Sequence, residues 1–347
     1  MRSRLRAALV LVLTFGLLAY FLRGVDLHEV WSRTKEADAR LLALAVCVTL
    51  MTYALRAFRW RYLLAPIGPT RYSTAFQTTV IGFAASFLLP ARPGEVLRPY
   101  LLARRERLPP TACFATIIVE RLLDLVTVLL LFGVFVVLVD PASIAGDPAT
   151  YARVKTGGLL AAAASVVGLI VFFLLAGHPE RLGTWALRIE RVLPAKAAHL
   201  VARLVESFAD GLAVMRRPRH LAGSLALSFP LWLSIALGIY VTSHAFHITF
   251  SYLGSFLVMT ILVVGVAVPT PGQVGGFHTA YLIAVRTFFG VAGPTAVGAA
   301  IVLHAISFVP VTLLGLFFMA REGLSFGRIR ALAADGKTED ARGELAS

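Results

Sequence analysis

Eight long apolar stretches constrain the fold of this chain more than any other feature. Six of them are uninterrupted and run through 5–22, 41–58, 112–139, 157–176, 221–245 and 295–319. A helix that crosses a bilayer needs about 20 consecutive apolar residues, and its backbone hydrogen bonds must be satisfied internally. Only 15% of the residues are charged, whereas soluble domains have about 25%. We therefore predict an all-α polytopic membrane protein with six spanning helices.

The other two apolar stretches, 73–102 and 252–290, are broken in the middle by proline and glycine. Arginines flank the first on both sides, so the positive-inside tendency places both of its ends in the cytoplasm. The second is flanked by the uncharged segments 246–251 and 291–294 and is predicted to enter from outside. We predict two re-entrant hairpins that point at each other. Paired broken segments suggest an inverted repeat with a substrate site at its interface.

The formal net charge of +14 could indicate a nucleic-acid partner in a soluble protein. Here the basic residues cluster between the apolar stretches, so we expect them to set orientation in a cytoplasmic (plasma) membrane, with no nucleic acid bound. Both termini are then cytoplasmic, and 1–330 forms a single transmembrane domain. The loop 177–220 contains an amphipathic pattern that fits either a helix on the anionic inner leaflet or a linker packed on protein. The polar tail 331–347 is expected to be disordered.

Three ionisable residues fall inside the apolar stretch 112–139, where charge is costly. Glu120 and Asp124 are one helical turn apart, and Arg121 lies three residues before Asp124, so the three can pair within one helix. One interpretation is a structural ion pair that fixes helix packing. The other is a direct role in handling substrate or protons.

The first hairpin carries Arg92, Glu95 and Arg98 at three-residue spacing around its Pro-Gly break. A helix that starts at this break would offer free backbone N–H groups to a phosphate, and the two arginines would reinforce that site. Alternatively, the arginines only extend to the membrane interface. Arg56, Arg59 and Trp60, near the end of the second stretch, are interpreted as an interfacial anchor.

The second hairpin has Pro271 and Gly272 at its break and His278 close by. We place these three in the same substrate site as the charged residues of the first hairpin. His244 and His247 supply only two potential metal ligands, so no metal is predicted. No catalytic constellation and no cofactor motif are recognised.

Four motifs carry a resemblance to a known family: RAFRW at 56–60, LPARPGE at 89–95, ERLLD at 120–124 and PTPG at 269–272. In this order they resemble the transmembrane region of lysylphosphatidylglycerol synthases, also called flippase-like domains. No segment resembles the aminoacyltransferase half of those enzymes. The resemblance implies movement of a lipid between leaflets. The sequence departs from the family where Gln273 replaces a glycine and His278 replaces a glutamate, so a role assigned to that acid does not carry over.

The leading functional expectation is a lipid translocase that moves or exports an anionic (glyco)lipid, with membrane lipids as partners. A transporter of a small soluble solute and an accessory subunit of a lipid-modifying enzyme are the alternatives. An enzyme would need a nucleophile or a metal set that we do not find. A homo-oligomer and a lipid-biosynthesis partner both stay open.

Overall fold

The computed structural model describes residues 26–89, 92–140, 144, 148–176, 218–267 and 270–322. All regular elements in these ranges are helical. The ten α-helices are α1 (Leu27–Lys35), α2 (Ala39–Leu64), α3 (Tyr72–Leu88), α4 (Gly94–Glu106), α5 (Pro110–Leu138), α6 (Pro148–Ala176), α7 (Pro218–Ala245), α8 (Gly254–Ala267), α9 (Gly276–Phe289) and α10 (Gly293–Arg321), with a short 3-10 helix at Pro271–Gln273.

The predicted spanning stretches coincide with long helices. Four helices, α2, α5, α7 and α10, are long and apolar enough to cross a membrane, and α6 contains the predicted stretch 157–176. The all-helical membrane fold is thereby confirmed. The stretch 5–22, the loop 177–217 and the tail 331–347 lie outside the described residues, so the count of six spans stays a prediction.

Local sequence explains where several helices begin and end. The carboxylate of Asp38 accepts hydrogen bonds from the backbone N–H groups of Arg40 and Leu41 and so caps α2. Pro110 is the first residue of α5, where its missing N–H costs nothing. Gly290 ends α9 in the left-handed conformation, which glycine adopts without strain.

Helices α3 and α4 form the first hairpin. At the open end of the hairpin, the Nε of Arg71 lies 3.5 Å from a carboxylate oxygen of Glu106, so the chain leaves close to where it enters. Near the break, Gly94 lies against the backbone of Gly82 so closely that a Cβ on Gly94 would overlap the Gly82 carbonyl oxygen. Small residues permit this backbone contact between membrane helices.

Helices α8 and α9 form the second hairpin on the same plan. The rings of Phe250 and Phe289, which flank its two ends, are 4.7 Å apart. Near the break, a Cβ on Gly265 would lie 2.6 Å from the carbonyl oxygen of Gly276. In each hairpin the two helices thus come into backbone contact at a glycine beside the break, and we call this contact a glycine crossing. Its presence in both hairpins agrees with the suggested inverted repeat.

The two hairpins approach from opposite ends of the molecule. Helix α2 begins where α7 ends, because the Asp38 N–H donates to the Ala245 carbonyl at 2.9 Å, and the second hairpin follows α7. The other end of α2 leads through 65–71 into the first hairpin. The breaks meet in the interior, where the Arg92 guanidinium donates to the carbonyl oxygen of Val266. The prediction of opposed hairpins is confirmed.

The outer faces of the long helices are apolar. Val137, Leu160 and Phe317 are each more than half exposed. Large exposed apolar areas are rare on soluble monomers but are expected where helices face lipid.

Candidate functional site

A buried cluster of charged side chains lies where α2, α4 and α5 meet. Arg56 and Arg59 come from α2, Arg98 from α4, and Glu120 and Asp124 from α5, and all five are buried. The two arginines of α2 are three residues apart and the two carboxylates of α5 are four apart, so each pair shares one face of its helix. Three guanidinium groups therefore surround two carboxylates, and the buried cluster has an excess of positive charge.

Glu120 contacts all three arginines of the cluster. Its Oε1 accepts a hydrogen bond of 3.0 Å from Nη1 of Arg98. Nη1 of Arg56 and Nη2 of Arg59 lie at 3.6 Å from the same oxygen. The carboxylate is thus held between α2 and α4.

Asp124 joins α5 to α2 and α7. Its Oδ1 accepts hydrogen bonds from Nη1 of Arg59 at 2.6 Å and from the indole N–H of Trp232 at 2.8 Å. Nη1 of Arg59 also donates to the hydroxyl of Ser228 at 2.7 Å. Two close hydrogen-bond donors offset the desolvation cost of a buried carboxylate far better than a single opposite charge does.

Trp60 packs against the guanidinium group of Arg98 and so supports the charged cluster. The Arg98 guanidinium carbon lies 3.9 Å from the centre of the Trp60 ring, a cation–π geometry. The indole N–H donates to the hydroxyl of Thr116 at 3.0 Å. An interfacial anchor keeps its polar end in the headgroup layer, whereas Arg56, Arg59 and Trp60 are enclosed by protein. The anchoring interpretation of these three residues is therefore wrong.

The prediction of a triad confined to α5 is also corrected. Arg121 lies 3.6 Å from Asp124, as expected from its spacing, but its side chain is 45% exposed. The main partners of the two carboxylates come from α2 and α4 instead. The helix spacing brought Glu120 and Asp124 together, and other helices supply their cations.

The start of α4 differs from the predicted phosphate site. The N–H groups of Glu95, Val96 and Leu97 already donate to the carbonyls of Arg92 and Pro93. Arg98 points into the charged cluster, Arg92 reaches the second hairpin, and Glu95 is exposed. The helix terminus therefore offers few free donors, and the arginine side chains are the candidate anion ligands.

The cluster forms one wall of a cleft of about 400 Å³ between the two hairpins and α2, α5, α7 and α10. Most of its lining is apolar, including Phe83, Leu262 and Phe308. Its charged and amide lining residues are Arg56, Arg92, Glu95, Arg98, Arg121, Asp124 and Gln273. The cleft therefore joins an arginine-rich wall to apolar walls.

The remaining predicted site residues lie beside this cleft. The carbonyl of Gly272 is 2.8 Å from Nε2 of His304, and the His278 and His304 rings are 4.5 Å apart. Neither Gly272 nor His278 lines the cleft itself. The histidines hold the backbone of the second break, and within the described residues no three His, Cys, Asp or Glu side chains converge to hold a metal ion.

Three residues of this region were not predicted from the sequence: Trp232, Gln273 and His304. Trp232 and His304 lie in long apolar helices, where a polar side-chain atom indicates a buried hydrogen-bond partner. Gln273 was noticed as a departure from the family pattern, but it was not placed in the site.

The apolar long helices, the two opposed hairpins and the charged cleft define a multi-pass α-helical membrane protein whose polar groups are concentrated inside. The chain belongs to the family described as the lysylphosphatidylglycerol synthase TM region, whose profile matches residues 7–315. The resemblance noted in the sequence is thus confirmed.

Relatives of different lengths match the chain. The protein named glycosyltransferase AglD of Haloferax volcanii is 28% identical over 85% of this chain, but the match covers only 51% of that protein. The chain therefore spans about half the length of this relative. A UPF0104 membrane protein of Methanothermobacter thermautotrophicus is 24% identical over 90% of this chain and 94% of the relative. A UPF0104 membrane protein of Methanocaldococcus jannaschii matches 38% of this chain at 22% identity.

Proposed function

We propose that this protein is a lipid translocase that moves an anionic (glyco)lipid across the cytoplasmic membrane, with both of its termini in the cytoplasm. The observation that carries the proposal is the arginine-rich wall of the cleft. Arg56 and Arg98 are buried there beside apolar side chains. A charged headgroup pairs with guanidinium groups, while acyl chains prefer the apolar walls and the surrounding bilayer.

The charged cluster also explains how such a cleft stays folded without its lipid. Each carboxylate is bonded to at least one arginine, so the buried charges are partly compensated. Glu120 and Asp124 thus hold the arginines in place. Arg92 joins the two hairpin breaks at the side of the cleft. From this position its guanidinium group can exchange the Val266 carbonyl for an entering headgroup.

A second candidate is an accessory subunit of a lipid-modifying enzyme. It is favoured by the relative named as a glycosyltransferase, because this chain corresponds to only about half of it. In that arrangement the cleft presents a lipid to a partner's active site, and the chain itself performs no chemistry. A carrier of a soluble solute fits the apolar walls less well, since a hydrated solute gains little from them.

Reconstitution into vesicles tests the proposal. Fluorescent lipids with anionic or zwitterionic headgroups are placed in both leaflets, and a membrane-impermeant quencher reports which molecules reach the outside. The translocase proposal expects the anionic lipid to become accessible faster than in protein-free vesicles. An unchanged rate for every lipid would overturn it, and uptake of a soluble anion in the same vesicles would support the solute carrier instead.

A further inference from the structure

The arginines of the cleft have more hydrogen-bond donors than their protein partners use. Among the described residues, Nε and Nη1 of Arg56 and Nε and Nη2 of Arg98 are buried and have no hydrogen-bond partner. Nη1 of Arg56 lies 3.6 and 3.8 Å from the two carboxylates, close enough for attraction but too far for a hydrogen bond. A buried donor without an acceptor is costly, so these atoms favour a ligand rich in oxygen.

The acceptors available within the cluster are fewer. One oxygen of each carboxylate, Oε2 of Glu120 and Oδ2 of Asp124, lacks a hydrogen bond among the described residues. Arg56 and Arg98 have four unbonded nitrogens, and Arg59 has two more. Two unbonded carboxylate oxygens cannot accept hydrogen bonds from all of them. The ligand must therefore bring acceptors and not donors.

The charge balance of the site indicates how many negative charges a matching ligand would carry. The cluster and the cleft wall together contain five arginines, Arg56, Arg59, Arg92, Arg98 and Arg121, and three carboxylates, Glu95, Glu120 and Asp124. The excess is two positive charges. A singly charged ligand leaves one of them uncompensated in a mostly apolar cleft, and a zwitterionic headgroup adds another positive group.

We propose, on the basis of the translocase function above, that the cleft selects lipids whose headgroup carries a doubly charged phosphate, such as a phosphomonoester or a diphosphate, over phosphodiester lipids. A phosphomonoester carries a charge of about −1.5 to −2 at pH 7 and has three terminal oxygens. A phosphodiester has one charge and two terminal oxygens. The first matches both the donor surplus and the charge excess.

The apolar part of the cleft indicates that the phosphate is attached to a lipid. Phe83 and Phe308 line the cleft and belong to the same aromatic layer as Phe87, whose ring is 4.4 Å from that of Phe308. Free phosphate gains nothing from such walls. Inorganic phosphate shares the headgroup chemistry, so the experiment includes it as a separate arm.

The test measures thermal stabilisation of the purified protein in phosphatidylcholine nanodiscs that contain a minor fraction of phosphatidic acid or of phosphatidylglycerol. We expect phosphatidic acid to bind about tenfold tighter, the effect of one additional charge-assisted hydrogen bond of about 1.5 kcal/mol. The preference should grow as pH rises through the second phosphate ionisation, at about pH 6. Phosphatidylglycerol should show no such change, and inorganic phosphate should bind far more weakly than phosphatidic acid.

A matched pair of variants separates the cleft from general surface charge. Arg121→Gln removes one positive charge from the cleft wall at a half-exposed position and should bring the two lipids to near parity. Arg153→Gln removes the same charge from an exposed site on α6, outside the cleft, and should keep the wild-type preference. Unfolding without added anionic lipid checks that both variants fold.

Equal or tighter binding of phosphatidylglycerol by the wild-type protein would overturn the selectivity proposal, as would equal loss of preference in both variants. Such a result leaves the translocase proposal intact if anionic lipids still move in the vesicle assay. Conversely, a clear preference for phosphatidic acid without any lipid movement would contradict translocation alone.

Discussion

The side chains of the charged cluster depend on one another across three helices. Arg59 is fully buried and donates to Asp124 and Ser228, whereas Arg121 approaches the same carboxylate from the surface. Removing one member of a buried pair leaves a charge without compensation, which costs about 3–5 kcal/mol, while exposed pairs contribute about 0–1 kcal/mol. The two arginines should therefore differ sharply in their coupling to Asp124.

Double-mutant cycles measure that difference. We expect Arg59→Gln and Asp124→Asn to be strongly coupled, by about 1–3 kcal/mol in the free energy of unfolding. The matched cycle of Arg121→Gln with Asp124→Asn should give less than about 1 kcal/mol. Equal coupling energies in the two cycles would show that burial does not set the strength of these pairs.

Part of this cluster was predictable from the sequence. Helical spacing placed Glu120 and Asp124 on one face, because residues four apart are neighbours on any α-helix. Their partners Arg56 and Arg59 are more than 60 residues away in the chain. Local spacing contains no information about which helices pack together, so these arginines were interpreted from their position at a helix end instead.

At the level of secondary structure elements, the two hairpins were the best predicted feature. Proline and glycine cannot continue a spanning helix without a break, and the flanking charges indicated which ends lie together. The glycine crossings were not predicted, because the close approach of Gly82 and Gly94 depends on how their helices pack side by side. The first hairpin therefore depends on the absence of a side chain at Gly94.

Alanine substitutions test the crossing. Gly94→Ala places a Cβ against the carbonyl of Gly82 and the hydroxyl of Ser86, and we expect a loss of about 1–3 kcal/mol in the free energy of unfolding. Gly133→Ala, in α5, meets no atom within 4 Å and should be neutral or stabilising by up to about 1 kcal/mol, because alanine is the better helix former. Similar destabilisation of both variants would contradict the crossing.

In the whole molecule, each hairpin is expected to return to the side of the membrane from which it entered. At the open end of the first hairpin, Arg71 pairs with Glu106 across its two ends, and Arg105 pairs with Glu322 at the end of α10. The second hairpin follows the end of α7, which lies next to the start of α2. The sequence predicted this arrangement from the arginine distribution, whereas the meeting of the two breaks inside the protein required the packing of all the long helices.

Cysteine labelling in intact cells tests the arrangement. In a background without Cys47 and Cys113, cysteines at Ser73 and Arg104 should both react only from the cytoplasm, and one at Ser251 only from outside. All three positions are exposed in the structure. Labelling of Ser73 and Arg104 from opposite sides would contradict the re-entrant first hairpin.

Lipid translocation through this protein requires that an anionic headgroup enters the charged cleft. Photo-crosslinking tests this entry in vesicles that contain a trace of radiolabelled anionic lipid, with a photoreactive residue at Phe83 in the cleft or at Val137 on the outer surface. We expect crosslinks from Phe83 to be enriched in the anionic lipid above its share of the bilayer, and crosslinks from Val137 to match that share. If both positions report only the bulk lipid composition, the cleft is not a headgroup site.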